Sequence, residues 1–181
     1  MINSESKELI GCCGLYCGLC SKYQSKAPSR CLGCKVGEQH SWCSIWNCCV
    51  KKHGFETCNT CKEVFSCEIF LRRKVTEWIP AADNLRQIKI IGLKNWLKEQ
   101  KVKQTLLEEL LQNYNDGRSM NLYCKSCARM SIDLINKVIK ESIIKIKNEK
   151  IEESDRKSKA NILKEEIHNS ALKARINLND K

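Results

Sequence analysis

Apolar residues recur at helical spacing only in the second half of the chain. Between Ala81 and Gln100 they fall at Leu85, Ile88, Ile91, Trp96 and Leu97, a rough stripe along one helix face. Thr105 stands where it can cap a second helix, Leu106 to Tyr114, which the turn Asn115-Asp116-Gly117 would end. Ser131 can cap a longer helix, with Leu134, Ile135, Val138, Ile139, Ser142, Ile143 and Ile146 near one face. Beyond Lys147 the apolar positions thin to Ile151, Ile162, Leu163, Ile167, Leu172 and Ile176. That pattern allows an amphipathic helix on a mostly polar background, so residues 148–181 read as a solvated helical tail. Before Pro80 the periodicity disappears. A polar lead over residues 1–11 allows one helical turn around Lys7–Ile10, and Lys22 to Arg30, with Pro28, reads as a surface loop. Val50 to Gly54 suits a short helix with a glycine end, and Glu63 to Arg73 another with Phe65, Ile69 and Phe70 on its apolar side. No strands are expected beyond small hairpins.

A segment so poor in periodic apolar residues needs another means of staying folded. Twelve of the 14 cysteines lie between Cys12 and Cys67; the other two form Cys124-Lys125-Ser126-Cys127. Small segments without an ordinary core are held by disulfides or by a structural metal. The first 11 residues carry Glu5 and Glu8 and no apolar run of signal-peptide length. No run of about 18 apolar residues, the span of a membrane helix, occurs anywhere. These features place the chain in the cytoplasm, where thiols stay reduced and Cys-x2-Cys pairs read as metal ligands. The expected fold is mainly α: a loop-rich N-terminal cysteine/metal knuckle module packed on an antiparallel helical region, with a long C-terminal helix. The expected organisation is a metal-binding module over 1–80, a helical region with the second Cys-x2-Cys over 81–147, and the tail over 148–181.

Spacing carries the chemistry. Two residues between cysteines let both sulfurs reach one ion across a tight turn, and two such hooks make the four-thiolate set that Zn²⁺ prefers. Cys17, Cys20, Cys31 and Cys34 form such a set, and Gly14 and Gly18 follow cysteines where a knuckle turn needs freedom. Cys13, Cys17 and Cys20 share the spacing of the radical enzymes that use S-adenosylmethionine, but 181 residues with helices after the cysteines leave no room for their α/β barrel. Adjacent side chains diverge, so one member of each vicinal pair, Cys12/Cys13 and Cys48/Cys49, is set aside. The remaining twelve suffice for three sites of four thiolates, or for two sites with spare thiols. Cys58, Cys61 and Cys67 with Cys43 or Cys49 make a second site, and Cys124 and Cys127 would need partners from the N-terminal stretch, Cys13 among the candidates.

Other residues have ordinary explanations. His53, four residues after Cys49, reads as a solvated helix-end histidine ahead of a ligand, and Tyr16 and Tyr23 as packing around a knuckle. Trp42 and Trp46 can stack on a base, but serve better as the small core of this stretch. Arg72-Arg73-Lys74 suits a solvated face, and Cys124-x2-Cys127 lacks the βαβ setting of a redox dithiol. There is no Ser-His-Asp set, P-loop or dinucleotide fingerprint, so no catalytic residue is assigned and the chain leans away from an enzyme.

Taken together, Cys13-Gly14-Leu15-Tyr16-Cys17-Gly18-Leu19-Cys20, Cys31-x-Gly33-Cys34-Lys35, Cys49 ahead of Gly54, and Cys58-x2-Cys61-x5-Cys67-Glu68 resemble the cysteine-rich bacterial and archaeal family catalogued as domain of unknown function 3795. In some members a region similar to Asp116-Gly117-Arg118-Ser119 … Tyr123-Cys124 follows, which carries the resemblance to about residue 140. The resemblance implies Cys13, Cys17, Cys20, Cys31, Cys34, Cys49, Cys58, Cys61 and Cys67 as family cysteines, with Cys43 fitting less closely. It departs at Lys62 and Ser66, where the family has prolines. It implies zinc binding and no defined activity.

Charge adds little. The formal net charge is +11, and twelve thiolates holding three Zn²⁺ would lower it to +5. Basic and acidic residues are interspersed through all three segments, so nucleic acid is weakly supported as a partner. The expectation is a metal–thiolate protein holding structural zinc and acting as an interaction or regulatory module toward a protein partner, with no membrane association. The alternatives are an iron–sulfur protein carrying a [4Fe–4S] or other cluster for electron transfer, and a nucleic-acid-binding zinc module.

Overall fold

The structure, a computed structural model, describes residues 8–36, 42–72 and 81–178. It is mainly helical, and the described residues hold no sheet, only one isolated antiparallel bridge between Ile10 and Tyr16. The helices are α1 (Ser21–Gln24), α2 (Ser44–Trp46), α3 (Glu68–Arg72), α4 (Ala81–Tyr114), α5 (Met120–Arg129), α6 (Ile132–Asn148) and α7 (Arg156–Lys173). The chain divides into two compact units, Met1–Lys101 and Val102–Lys181, and α4 contributes residues to both.

In the first unit a tight reversal docks on the start of α4. The Gly11 N–H donates to the Leu15 carbonyl (2.8 Å), and the Cys17 N–H to the Leu9 carbonyl (2.7 Å). This turns Ile10 and Tyr16 inward, where both are almost fully buried, and the Tyr16 ring meets Trp96 edge-on at 5.9 Å. Such a pair adds about 0.5–1.5 kcal/mol beyond the burial of its surface. Asn84 donates from Nδ2 to the Gly14 carbonyl (2.8 Å), satisfying a buried polar group on each side. Leu85, Ile88, Trp96 and Leu97 are buried, as their spacing predicts, whereas Ile91 is exposed. Ile45, Val64 and Phe70 form a second small apolar cluster. Trp42 and Trp46 are not that core: Trp42 is 66% exposed and Trp46 half-buried under the Lys51 ammonium at 5.2 Å. The core of this stretch comes from aliphatic residues and from Tyr16 against α4, which a count of tryptophans does not reveal.

Two helix expectations shift. Helix α4 does not restart at Thr105; its break lies at Gly92, where φ 79° and ψ 150° define a conformation open essentially to glycine alone. Between Gly92 and Tyr114 no glycine or proline interrupts, so Thr105 sits inside a continuous helix. The helix expected over Glu63 to Arg73 is present only as α3; residues 62–66 form turns, and Phe65 is held from above by Arg86 and Lys89, each 4.9 Å from its ring. Residues 1–7 and 73–80 lie outside the described residues, and with them Lys7 of the expected first turn and Arg73 and Lys74.

The second unit is built on α6 and α7. Ser131 caps α6 by accepting from the Leu134 N–H (3.3 Å), as its position predicts, and Ile135, Val138, Ile139 and Ser142 are buried. Asp155 caps α7 by accepting from the Ser158 N–H (3.0 Å). The two helices run antiparallel, joined through ion pairs from Lys145 to Glu165 and Glu166. Helix α7 is therefore packed rather than solvated: Ala160, Ile162, Leu163, Ile167 and Ala171 are buried. Its inward row also contains Lys159, Glu166 and Ser170, which dilute the apolar stripe and give the sequence its look of a polar tail. Lys159 resolves its burial by pairing with Glu153 and lying over the Tyr114 ring at 5.7 Å.

The Asn115-Asp116-Gly117 turn forms as expected and is stapled to α7. Asp116 accepts from the Ser119 hydroxyl (2.6 Å), the Arg118 N–H (3.0 Å) and the Lys164 ammonium (2.9 Å). The Ser119 bond, followed by the Lys164 bond, holds the carboxyl well below its ordinary value of 3.8. A carboxyl lowered on folding stabilises in full above its unfolded value, and this is lost as pH falls below about 4 toward the folded value. Asp116→Asn is expected to cost about 1–3 kcal/mol at pH 7. In denaturant titrations across pH 2–7 it is expected to flatten the acid limb of stability. An unchanged limb would mean that other carboxylates govern it.

Gly14 supplies a second test. Its φ is +89°, and a Cβ built there would lie 2.8 Å from Leu85 Cγ and 2.9 Å from the Ala81 carbonyl. Gly117 has a similar φ of +86° but no atom within 4 Å of the same position. Gly14→Ala is expected to cost about 2–4 kcal/mol, overpacking added to backbone strain, and Gly117→Ala about 1 kcal/mol. Thermal unfolding of the two variants compares them directly, and equal losses would contradict the tight approach of Gly14 to α4.

Candidate metal centre

The Cys-x2-Cys hooks fold alike. Cys17–Leu19 and Cys58–Thr60 are single 3₁₀ turns, in which the Cys20 N–H donates to the Cys17 carbonyl (2.9 Å) and the Cys61 N–H to the Cys58 carbonyl (3.0 Å). In the hook Cys31–Cys34 the Gly33 N–H points at the Cys31 sulfur, 3.4 Å away. The Cys58 N–H donates to the Cys12 carbonyl (2.7 Å), which ties the second hook to the docked reversal.

The thiols of the first unit gather around two cavities. The larger, about 540 Å³, is lined by Cys12, Cys13, Cys17, Cys20, Cys31, Cys34 and Cys43, with Trp42, Trp46, Lys22 and Arg30 also on its wall. The smaller, about 30 Å³, is lined by Cys48, Cys49, Cys58, Cys61 and Cys67, with His53, Ile45, Val64 and Phe70. A hydrogen bond to Cys34, then burial, pushes the Cys17 thiol up, which puts one sulfur from each of the first two hooks side by side. The Cys13 and Cys34 sulfurs both lie 3.6 Å from the position a Gly11 Cβ would take. Burial raises Cys13 to about 12, with the charges of Cys34 and Cys43 adding to the effect.

At the smaller cavity Cys49 accepts hydrogen bonds from Cys12 and Cys58. These bonds lower Cys49 and raise the two donors, with burial acting on all three and the nearby His53 and Lys35 charges favouring the Cys49 thiolate. Cys49 arrives there on a π-helical turn, Asn47–Lys52, and its sulfur contacts the Phe55 carbonyl at 3.6 Å. π-Turns are uncommon and cluster at functional sites. Of the two candidates to join Cys58, Cys61 and Cys67, the structure brings Cys49; Cys43 lies at the other cavity.

The vicinal pair at 12 and 13 is used on both sides. Neighbouring side chains diverge, so the Cys12 thiol, set aside on spacing, faces Cys49 and Cys58 while that of Cys13 faces Cys34 and Cys43. Cys48, likewise set aside, lines the smaller cavity. His53 is exposed and stacked on Phe55 (5.4 Å between centroids), at the cavity wall beside Cys49.

Soft thiolates as a donor set suit Zn²⁺ and iron–sulfur clusters alike. The sulfurs are gathered without converging on one point: among the described residues no three His, Cys, Asp or Glu side chains form a ready ligand group. Cys124 and Cys127 belong to the second unit, where one turn of α5 separates them and both are buried. Burial, then the neighbouring Cys124, raises Cys127 to about 12, with Lys103 opposing. No helix among the described residues is long and apolar enough to cross a membrane. No family model matches the sequence, and no curated protein or solved structure is similar to it.

A raised, buried thiol is a poor nucleophile. Cys127 is therefore expected to resist iodoacetamide at pH 7.5 in the folded chain and to react on unfolding, as read by peptide mass spectrometry. Rapid native labelling of Cys127 would contradict its burial.

Proposed function

We propose that the chain is a metal–thiolate protein whose first unit is held by structural zinc and serves as an interaction or regulatory module. The observation that carries this reading is the division of twelve cysteines between two cavities in a unit with a sparse apolar core. In that setting a bound ion supplies cross-links that burial alone does not, and metal affinity becomes folding free energy. Cys17, Cys20, Cys31 and Cys34 would hold one ion and Cys49, Cys58 and Cys61, with Cys12 or Cys67, another. Closed four-thiolate sites leave no coordination position for a substrate, which favours a scaffold over a catalyst. The cysteine order that resembles domain of unknown function 3795 supports these ligands apart from Cys12.

Elemental analysis of full-length protein purified without oxygen tests the reading. Zinc bound in stoichiometric amount with no visible absorbance is the expected result. Iron with labile sulfide would replace zinc by the iron–sulfur alternative, and metal-free folded protein would overturn the proposal. Cys17→Ser is expected to lose metal and lower the melting temperature together, whereas His53→Ala is expected to change neither. Retained metal with unchanged melting in Cys17→Ser would remove the first-site assignment.

A further inference from the structure

One thiol of the first unit has two others bonded to it. The Cys49 sulfur accepts hydrogen bonds from both Cys12 and Cys58. The two donors are also joined through the backbone, where the Cys58 N–H donates to the Cys12 carbonyl at 2.7 Å. With standard bond lengths, a hydrogen bond that short leaves the two Cα atoms at most about 6.6 Å apart, whatever its angles. Disulfides span about 4.4–6.8 Å between Cα atoms and need side chains that point toward each other. Those of Cys12 and Cys58 converge, since both reach the same Cys49 sulfur.

We propose that Cys12, Cys49 and Cys58 form a redox site at which a hydroperoxide converts the Cys12 and Cys58 thiols into a reversible disulfide by way of Cys49. Cys12, Cys49 and Cys58 are only 4%, 3% and 9% exposed, which excludes a bulky disulfide as the oxidant. Cys49 and Cys58 line the smaller cavity, where a small peroxide can meet them. The Cys49 sulfur attacks hydrogen peroxide: an S–O bond forms, the O–O bond breaks, and the second oxygen leaves as water with the thiol proton. The Cys58 sulfur then attacks that of Cys49, so that an S–S bond forms and the S–O bond breaks. The oxygen departs as a second water, carrying the Cys58 proton. Cys12, which lies beside Cys58, exchanges into this bond and returns its proton to the released Cys49. In sum two thiols give two electrons to one peroxide, and a disulfide and two waters result. The bond rests at Cys12 and Cys58 because their backbone contact already sets the separation it needs, whereas Cys49 is held on its own π-turn against the Phe55 carbonyl. A reducing dithiol reverses the change by the same exchange. The bond itself needs no metal. Resting on the metal–thiolate reading above, it would also withdraw Cys58 from the second site and release the ion held there.

The full chain, purified without oxygen, exposed briefly to equimolar hydrogen peroxide and digested without reduction, tests this. Trypsin cleavage after lysine places Cys12 in residues 8–22, Cys49 in 36–51 and Cys58 in 53–62. Mass spectrometry is expected to find 8–22 joined to 53–62, with fragmentation placing the bond at Cys12 and Cys58 and dithiothreitol removing it. A bond that ends at Cys49, or no bond between these segments, would overturn the proposal. Cys49→Ser is expected to slow formation of the bond by about tenfold or more, and an unchanged rate would remove Cys49 from the path. If that variant does not fold, dimedone added to the wild-type chain during oxidation reads the same step. Its label is expected on Cys49, and a label on Cys12 or Cys58 instead would contradict the order of events. Metal is counted before oxidation. A chain that carries metal and forms no such bond overturns the redox site and leaves the metal–thiolate reading intact, whereas a metal-free folded chain that forms it overturns that reading alone.

Discussion

Both cavities of the first unit are referenced to the reversal between Ile10 and Tyr16 and to its seat on α4. Asn84 bonding the Gly14 carbonyl, the absence of a Cβ at Gly14, and the Tyr16 ring against Trp96 fix that seat. Cys12 and Cys13 ride on it, and their diverging side chains send one sulfur toward Cys49 and Cys58 and the other toward Cys34 and Cys43. A pair of adjacent residues thereby sets the positions of two thiol groups relative to each other. The apolar contacts that hold the reversal are few but concentrated, each large buried side chain contributing about 1.5–3 kcal/mol. Elsewhere in this unit the backbone is a series of single turns. These order little apolar surface.

The second unit solves a different problem. Its α6–α7 pair buries an ordinary aliphatic row but places Lys159, Glu166 and Ser170 among it. Each charge is met locally: Lys159 by Glu153 and the Tyr114 ring, Glu166 by Lys145. Paired in this way, buried charges need not destabilise, and removing one partner would leave the other exposed to the full penalty. Asp116 plays a comparable part at the turn before α5, collecting three donors from three positions of the unit.

Much of this was legible from residue order. The Asn115-Asp116-Gly117 turn, the Ser131 cap and the stripe of α6 follow from local chemistry, which needs no knowledge of the rest of the fold. The hooks at Cys17, Cys31 and Cys58 follow from spacing in the same way. The packing of α7 was hidden because Lys159, Glu166 and Ser170 sit among its buried aliphatic residues and dilute the apolar stripe. The break at Gly92 was hidden for the opposite reason: a lone glycine inside a helical pattern is usually tolerated, and only its φ of 79° shows that the helix stops there. Cys12 was set aside by a geometric rule applied to one site, whereas its thiol lies beside Cys49 and Cys58 and that of Cys13 beside Cys34 and Cys43. How thiols group is a tertiary property, so spacing identifies hooks without saying which hooks meet.

If bound metal, rather than apolar burial, holds the cysteine-rich turns, its removal must release them. Hydrogen exchange on the full chain, before and after removal of metal by a chelator under reducing conditions, tests it most directly. The expected result is loss of protection at the Cys20, Gly33 and Cys61 amides, with the amides of α6 and α7 unchanged. Equal protection at those three amides with and without chelator would contradict the account.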